Sequence, residues 1–187
     1  MNGIFPVAGE SFGRGKVVSR FVNGKVQIVY SREFERPVFQ DILDTIWQLK
    51  RKCGNNLKNI IMDAANTELY TALCNEFNQN PSLQYLKDKQ NLCKTSRTSL
   101  ERYLFVVLIP FNPQGRNMLN HTQRIISEKN EDGTALVGIH KQFEDLIISC
   151  RSAYAVEDKL DKERTVHADT FDALRLNLSY YRWSRNK

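Results

Sequence analysis

The stretch Ile60-Ile61-Met62-Asp63-Ala64 decides the fold class, because its pattern predicts a buried strand that ends in an acid. Three consecutive apolar residues are typical of a central strand that is covered on both faces of a sheet. Asp63 stands at the carboxyl end of this strand, just before a helix that is predicted to begin near Asn66. A buried carboxylate is unfavourable unless a metal ion, a cation or a helix amino terminus compensates it. Asp63 is therefore the first candidate functional residue.

The segments around this strand predict a mixed α/β sheet. Upstream, Lys16 to Val22 and Lys25 to Phe34 resemble strands on either side of Asn23-Gly24, a signal for a two-residue type I′ hairpin. A further strand is expected within Met1 to Val7. Later strands are expected over Asn59 to Ala64, Tyr103 to Ile109 and Ala135 to Ile139. Helical periodicity covers Pro37 to Gly54, Thr67 to Phe77, Gln114 to Lys129, Gln142 to Ala153 and Ala168 to Trp183.

This order predicts an antiparallel arrangement for the first three strands and parallel pairing for the later ones, with helices on the sheet. Val156 to Val166 is expected to form a hairpin or loop before the last helix. The 187 residues fit one domain, 1–187, with 41% hydrophobic and 26% charged residues. No apolar run is long enough to cross a bilayer, and Met1 to Gly15 lacks the layout of a signal peptide. A cytoplasmic location is therefore expected.

The cysteines and histidines do not indicate a disulfide framework or a zinc site. The four cysteines are scattered without a Cys-x-x-Cys pair, and the three histidines show no ligand spacing with them. Reduced thiols that contribute to packing are the expected state.

A second acidic cluster, Asp169 and Asp172, lies at the start of the last helix. Helical geometry predicts that these acids lie opposite the packing stripe, which consists of Phe171, Leu174, Leu178 and Tyr181. Carboxylate oxygens suit Mg²⁺ or Mn²⁺, so a divalent-metal site with Asp63 is one interpretation. The alternative is that Asp63 and Asp169 only cap helices and complement their dipoles.

The net charge of +6 favours a polyanionic partner such as nucleic acid. Asn78 to Arg102 is polar and is expected to form an excursion from the core, spanning about residues 78–102. Its basic residues are the candidate DNA contacts, although a solvated charged face is the alternative: Lys87, Lys89, Lys94, Arg97 and Arg102.

Several segments resemble the nuclease domain of viral DNA-packaging terminase large subunits. They are Gly24 to Phe34 (GKVQIVYSREF), Ile61 to Asn66 (IMDAAN), Phe143 to Lys162, and His167 to Leu176 (HADTFDALRL). The resemblance runs over nearly the whole chain and implies an RNase H-like fold. It also implies a metal-dependent endonuclease that cleaves duplex DNA with two Mg²⁺ or Mn²⁺ ions. By resemblance, Asp63 and Asp169 are metal ligands and catalytic residues, with Asp172 as a helper.

The chain departs from the family pattern at the first acidic position. In the family the first strand ends in Asp-Pro, followed by small residues and Phe-Gly, and the matching run here is Phe5 to Gly13 (FPVAGESFG). Phe5 stands where the aspartate is expected, and a phenyl ring cannot bind a metal. Glu10 is the candidate substitute for that ligand. Without a substitute, either the nuclease is weakened, or the domain is catalytically inactive and serves DNA binding or assembly.

No phosphate-binding loop of an ATPase is present, because the residue six before Lys16 is Glu10 and Val17 follows that lysine. The sequence therefore predicts a nuclease domain without an ATPase motor domain. The expected partners are double-stranded DNA and a motor domain or portal on another chain, in the host cytoplasm if the protein is viral, with no membrane.

Overall fold

The computed structural model describes residues 7–11, 15–53, 57, 59–63, 67–76, 105–109, 115–156 and 159–185. The main strands are β1 Val7–Ser11, β2 Gly15–Val22, β3 Lys25–Glu33, β4 Asn59–Asp63, β5 Phe105–Ile109 and β6 Val137–Ile139. A small hairpin consists of β7 Ala155–Val156 and β8 Lys159–Leu160. The helices are α1 Phe39–Cys53, α2 Thr67–Glu76, α3 Gly115–Ser127, α4 Glu144–Ser152 and α5 Ala168–Arg185. None of these described helices is long and apolar enough to pass through a bilayer.

Six strands form one mixed sheet in the order β5-β4-β1-β2-β3-β6. β1, β2 and β3 are antiparallel neighbours, whereas β4 pairs parallel with both β1 and β5, and β6 pairs parallel with β3. Asn23 and Gly24 connect β2 to β3 with φ values of 50° and 76°, as a type I′ turn requires. The predicted mixed sheet, antiparallel first and then parallel, is confirmed.

Alternating side chains divide the core between the two faces of the sheet. Val17 and Ile61 pack with α3, α4 and α5 on one face, whereas Val18 and Met62 pack with α1 and α2 on the other. This alternation follows from the two-residue period of a strand. β4 is buried along its whole length, from Asn59 to Asp63, which confirms the strand predicted around the acid.

The first strand lies later in the chain than expected. β1 begins at Val7 and includes Glu10, whereas the strand was predicted within Met1 to Val7. Strand β2 pairs along the whole of β1, from Val7↔Ser19 to Ser11↔Gly15, so the hairpin partner sets the position of β1. Phe5 lies outside the described residues.

The last helix, α5, lies across the middle of the sheet and contacts β1, β2 and β4. A buried polar network fixes its C-terminal half: the Ser19 hydroxyl donates to Asn177 Oδ1 at 2.6 Å and lies 2.7 Å from the Tyr181 hydroxyl. Buried hydrogen bonds of this kind specify one arrangement, because a slipped helix would leave polar groups unsatisfied. The network therefore holds α5 in a defined register on β2.

The described cysteines are free thiols, as expected. Cys74 is fully buried against α1 and the sheet. Burial raises the pKa of Cys150 to about 11, which keeps that thiol protonated at neutral pH.

Candidate active site

One end of the sheet brings acidic residues from distant parts of the chain together. β4 ends at Asp63, β2 begins at Gly15, and Gly15 is the register partner of both Ser11 in β1 and Glu33 in β3. Only β1 separates β4 from β2, so these two strands lie about 10 Å apart. Asp63 is buried at this end, with 8% of its surface exposed.

The first turn of α5 lies directly over the same end of the sheet. A Cβ atom on Gly15 would collide with the carbonyl oxygen of Asp169 and would lie 2.7 Å from the amide nitrogen of Thr170. The glycine therefore permits a backbone-to-backbone approach that positions Asp169 above β2. Asp63 and Asp169 consequently share one end of the sheet, about two strand spacings apart.

Asp169 and Asp172 bind a common cation, which is the side chain of Lys162. The Lys162 ammonium nitrogen lies 3.3 Å from Asp169 Oδ1 and 2.9 Å from Asp172 Oδ2. Asp172 is also bound on its other oxygen, because Arg175 Nη1 donates to Oδ1 at 2.8 Å. Two acids and two bases thus form a charge cluster at the start of α5, which consists of Lys162, Asp169, Asp172 and Arg175.

Asp172, expected opposite the packing stripe of α5, is enclosed within the protein. Only 2% of its surface and 2% of that of Arg175 are exposed. No face of the helix is left open here, because every residue from Thr170 to Ser179 is buried and α5 contacts α3 and α4 as well as the sheet. Since α5 is enclosed on both sides, its polar residues must find partners within the protein.

The charge cluster shifts the protonation equilibria of its bases. Burial lowers the pKa of Lys162, but the hydrogen bond and the charge of Asp172 outweigh this, so the pKa lies above its ordinary value of 10.5. Burial also lowers the pKa of Arg175, and the charge of Asp172 opposes that change. The raised pKa keeps Lys162 cationic at neutral pH, and Arg175 is cationic because a guanidinium group is not deprotonated in proteins.

A cleft of about 730 Å³ opens beside the charge cluster. Asp169 lies on its wall, whereas Asp63 and Asp172 are not among the described residues that line it. The lining residues are Glu33, Phe34, Glu35, Asp145, Lys162, Thr165, His167, Ala168 and Asp169. Four carboxylates thus face one lysine and one histidine, which makes the cleft acidic.

His167 connects the cleft to the start of α5. Its carbonyl oxygen accepts hydrogen bonds from the amides of Thr170 and Phe171, so His167 is the residue at which the helix starts. The φ angle of His167 is 53°, in the left-handed region. Its imidazole Nδ1 lies 2.6 Å from Glu33 Oε2, and its Nε2 lies 3.6 Å from Asp145 Oδ1. The histidine therefore links β3, α4 and α5.

Sequence reasoning missed Glu33, Lys162 and His167 as members of this site. Two local signals were available: Glu33 ends a predicted strand, and His167 immediately precedes a predicted helix. Lys162 gave no signal, because its contacts depend on how the turn after β8 folds back onto α5. Of the predicted residues, Asp169 and Asp172 lie close together, and Asp63 lies at the same end of the sheet.

The five predicted DNA contacts, Lys87, Lys89, Lys94, Arg97 and Arg102, lie outside the described residues, as does the 78–102 excursion as a whole. Within the ranges that the structure describes, no group of three or more His, Cys, Asp or Glu side chains is placed to hold a metal ion. Compared with protein-family models and with curated proteins, the chain matches none of them.

Replacing Asp172 with alanine is expected to lower the free energy of unfolding by about 3 kcal/mol, because it leaves the buried Arg175 guanidinium without its carboxylate. Urea denaturation followed by circular dichroism measures the change. The double variant Asp172→Leu/Arg175→Met removes both charges and is expected to recover most of the loss. A double variant as unstable as Asp172→Ala would show that the loss comes from packing rather than from the unpaired charge.

Proposed function

We propose that this chain is the nuclease domain of a viral DNA-packaging machine and has an RNase H-like fold. In this proposal it cleaves duplex DNA in the host cytoplasm with the help of Mg²⁺ or Mn²⁺, and works with an ATPase motor domain or portal on another chain. Asp63 and Asp169 hold the metal, with Asp172 as a helper. The basic residues between 78 and 102 bind the phosphates of the DNA.

The observation that carries the proposal is the position of Asp63 and Asp169 relative to the sheet. Three antiparallel strands followed by parallel ones agree with the arrangement that the resemblance to RNase H-like nucleases implies. Asp63 lies at the end of β4 and Asp169 in the first turn of α5, and by resemblance these are the second and third acidic positions of that family. These two acids come from segments a hundred residues apart and reach the same end of the sheet.

The carboxylate oxygens of Asp169 and Asp172 suit a hard divalent cation. Asp169 and Asp172 already bind a cation, the Lys162 ammonium, between their carboxylates, which supports a role for this position in cation binding. Carboxylate oxygens are the ligands that Mg²⁺ and Mn²⁺ prefer. Bound there, such an ion supplies activation of water and stabilisation of the leaving oxygen in phosphodiester hydrolysis.

The acidic lining of the cleft also favours a metal-dependent activity over DNA binding alone. Glu33, Glu35, Asp145 and Asp169 would repel phosphates at this surface. A divalent cation between the carboxylates and the DNA would offset that repulsion. Phosphate binding without a metal would instead need the basic residues elsewhere in the chain.

A second candidate function is that of a catalytically inactive domain for DNA binding or assembly. One observation favours it: Asp172 uses one oxygen to bind Arg175 and the other to bind Lys162. The acid predicted as a helper thus already has cationic partners. Phe5 at the first acidic position of the family pattern points in the same direction.

Plasmid cleavage by the purified chain tests the proposal. We expect supercoiled DNA to be nicked in Mn²⁺ and to remain intact in EDTA. Glu10→Gln tests whether the acid of β1 contributes. Its register partner is Met62, which packs against α1 and α2, whereas the next residue, Asp63, lies on the face of the sheet that carries α5. Loss of nicking in that variant would assign Glu10 the first acidic position.

The same assay separates the two candidate functions. A wild-type chain that binds DNA without cutting it, and that gains Mn²⁺-dependent nicking through Phe5→Asp, would establish the inactive domain. A chain that binds neither DNA nor Mn²⁺ would contradict both.

A further inference from the structure

Lys162 occupies the position between Asp169 and Asp172 where a metal ion would compete for the same oxygens. Its ammonium lies within hydrogen-bonding distance of both carboxylates, at 3.3 Å and 2.9 Å. It approaches Oδ2 of Asp172, whereas Arg175 holds Oδ1. Removing the lysine from the cluster would thus free one oxygen of Asp172 while its ion pair with Arg175 stays intact.

An ordered turn holds Lys162 in this position. Asp161 Oδ1 accepts hydrogen bonds from the amides of Glu163 and Arg164, and its carbonyl oxygen accepts one from the Thr165 amide. The end of the turn is joined to α4, because the Val166 amide donates to the Ser152 hydroxyl at 3.0 Å. The backbone around Lys162 is therefore fixed against the core, and its side chain is directed at α5.

The side chain of Lys162 is nevertheless accessible. Its exposed fraction is 49%, compared with 2% for Asp172 and 19% for Asp169. The lysine therefore covers the two acids from the solvent side, next to the cleft. A long, flexible side chain in this setting can swing into water without any change in the core.

We propose that Lys162 is an internal counter-ion that keeps the site closed to divalent cations until it is displaced. The inference rests on the proposed function, since it concerns the same acids as metal ligands. A metal ion and the ammonium group cannot both lie against Asp169 Oδ1 and Asp172 Oδ2, because two cations at that separation repel each other strongly in a partly buried site. Each metal-binding event then includes the release of Lys162, which weakens the apparent metal affinity.

Isothermal titration of the full chain with MnCl₂ tests this inference without reference to activity. Lys162→Met removes the ammonium and keeps most of the apolar stem, and we expect it to bind Mn²⁺ about tenfold more tightly than the wild type. Lys162→Gln retains a hydrogen-bond donor toward the acids and serves as a second neutral variant. Lys159→Met, on the exposed start of β8, removes one charge three residues before Lys162 and is expected to leave the affinity unchanged.

The outcomes distinguish this inference from the proposed function. If both Lys162 variants bind Mn²⁺ more tightly and no protein in the series cleaves DNA, the counter-ion role of Lys162 is supported and the proposed nuclease activity is contradicted. If the wild type and the Lys162 variants bind Mn²⁺ equally and the chain cleaves DNA, the counter-ion role of Lys162 is overturned and the proposed nuclease function stands. An equal gain in Mn²⁺ affinity in Lys159→Met would mean that the gain comes from the lower net charge, and it would also overturn the counter-ion role of Lys162. Failure of all variants to bind Mn²⁺ would overturn both proposals.

Discussion

Replacing Asp63 with asparagine is expected to reduce Mn²⁺-dependent plasmid cleavage by roughly a thousandfold. Asparagine has nearly the same volume as aspartate and fits the buried end of β4, but it lacks the negative charge that a metal ligand provides. The rate of conversion of supercoiled to nicked plasmid, measured at saturating Mn²⁺, gives the size of the effect. A thermal melt of the same sample shows whether the fold is retained.

Asp44→Asn is the matched control for this prediction. Asp44 is an exposed acid on α1, which packs on the face of the sheet opposite α5, and its carboxylate accepts a hydrogen bond from Gln40 at 2.8 Å. We expect this variant to cleave at the wild-type rate. Wild-type cleavage by a folded Asp63→Asn variant would instead mean that Asp63 is a structural residue at the start of the connection to α2.

Replacing Gly15 with alanine is expected to lower the free energy of unfolding by about 4 kcal/mol, the largest stability effect of a single methyl group that we foresee in this chain. The new Cβ would meet the backbone of Asp169 and Thr170 rather than a flexible side chain. The start of α5 would therefore have to move away from β2. In a chain of 187 residues this corresponds to a fall in melting temperature of roughly 8–16 °C.

Gly138→Ala provides the comparison, because the nearest heavy atom to its new Cβ is the Val26 carbonyl oxygen, at 4.0 Å. That distance is an ordinary contact, so the free energy of unfolding should change by less than about 0.5 kcal/mol. Equal effects of the two substitutions would contradict a close approach between β2 and α5. Since Asp169 lies at the point of collision, Gly15→Ala is also expected to weaken any metal binding that uses this acid.

The helices and strands could be predicted largely from local patterns. The stripe of Ile42, Leu43, Ile46 and Leu49 predicted α1, and these side chains are buried against the sheet. Asn23-Gly24 predicted the hairpin turn, because positive φ angles are inexpensive for these residue types. Helices α2 to α5 begin within two residues of their predicted starts. Each of these signals depends on residues that are neighbours in sequence.

The first strand shows where local patterns were insufficient. Val7 to Ser11 contains alanine, glycine and glutamate, which have low strand propensity, and the predicted strand ended at Val7. Its position at the centre of the sheet, between β2 and β4, stabilises it through backbone pairing on both sides. Tertiary pairing therefore overrode a weak local preference.

The sequence by itself determined the alternation of strands and helices, the buried strand that ends in Asp63, and the acids at the start of α5. It did so because hydrophobic periodicity and turn residues report on the immediate neighbours of each residue. Only the tertiary structure decided that Gly15 brings α5 against β2, that Asp172 is enclosed, and that Lys162 and Arg175 neutralise it. These contacts depend on how elements far apart in sequence pack, and a charge on a helix carries no local sign of the partner that it will meet.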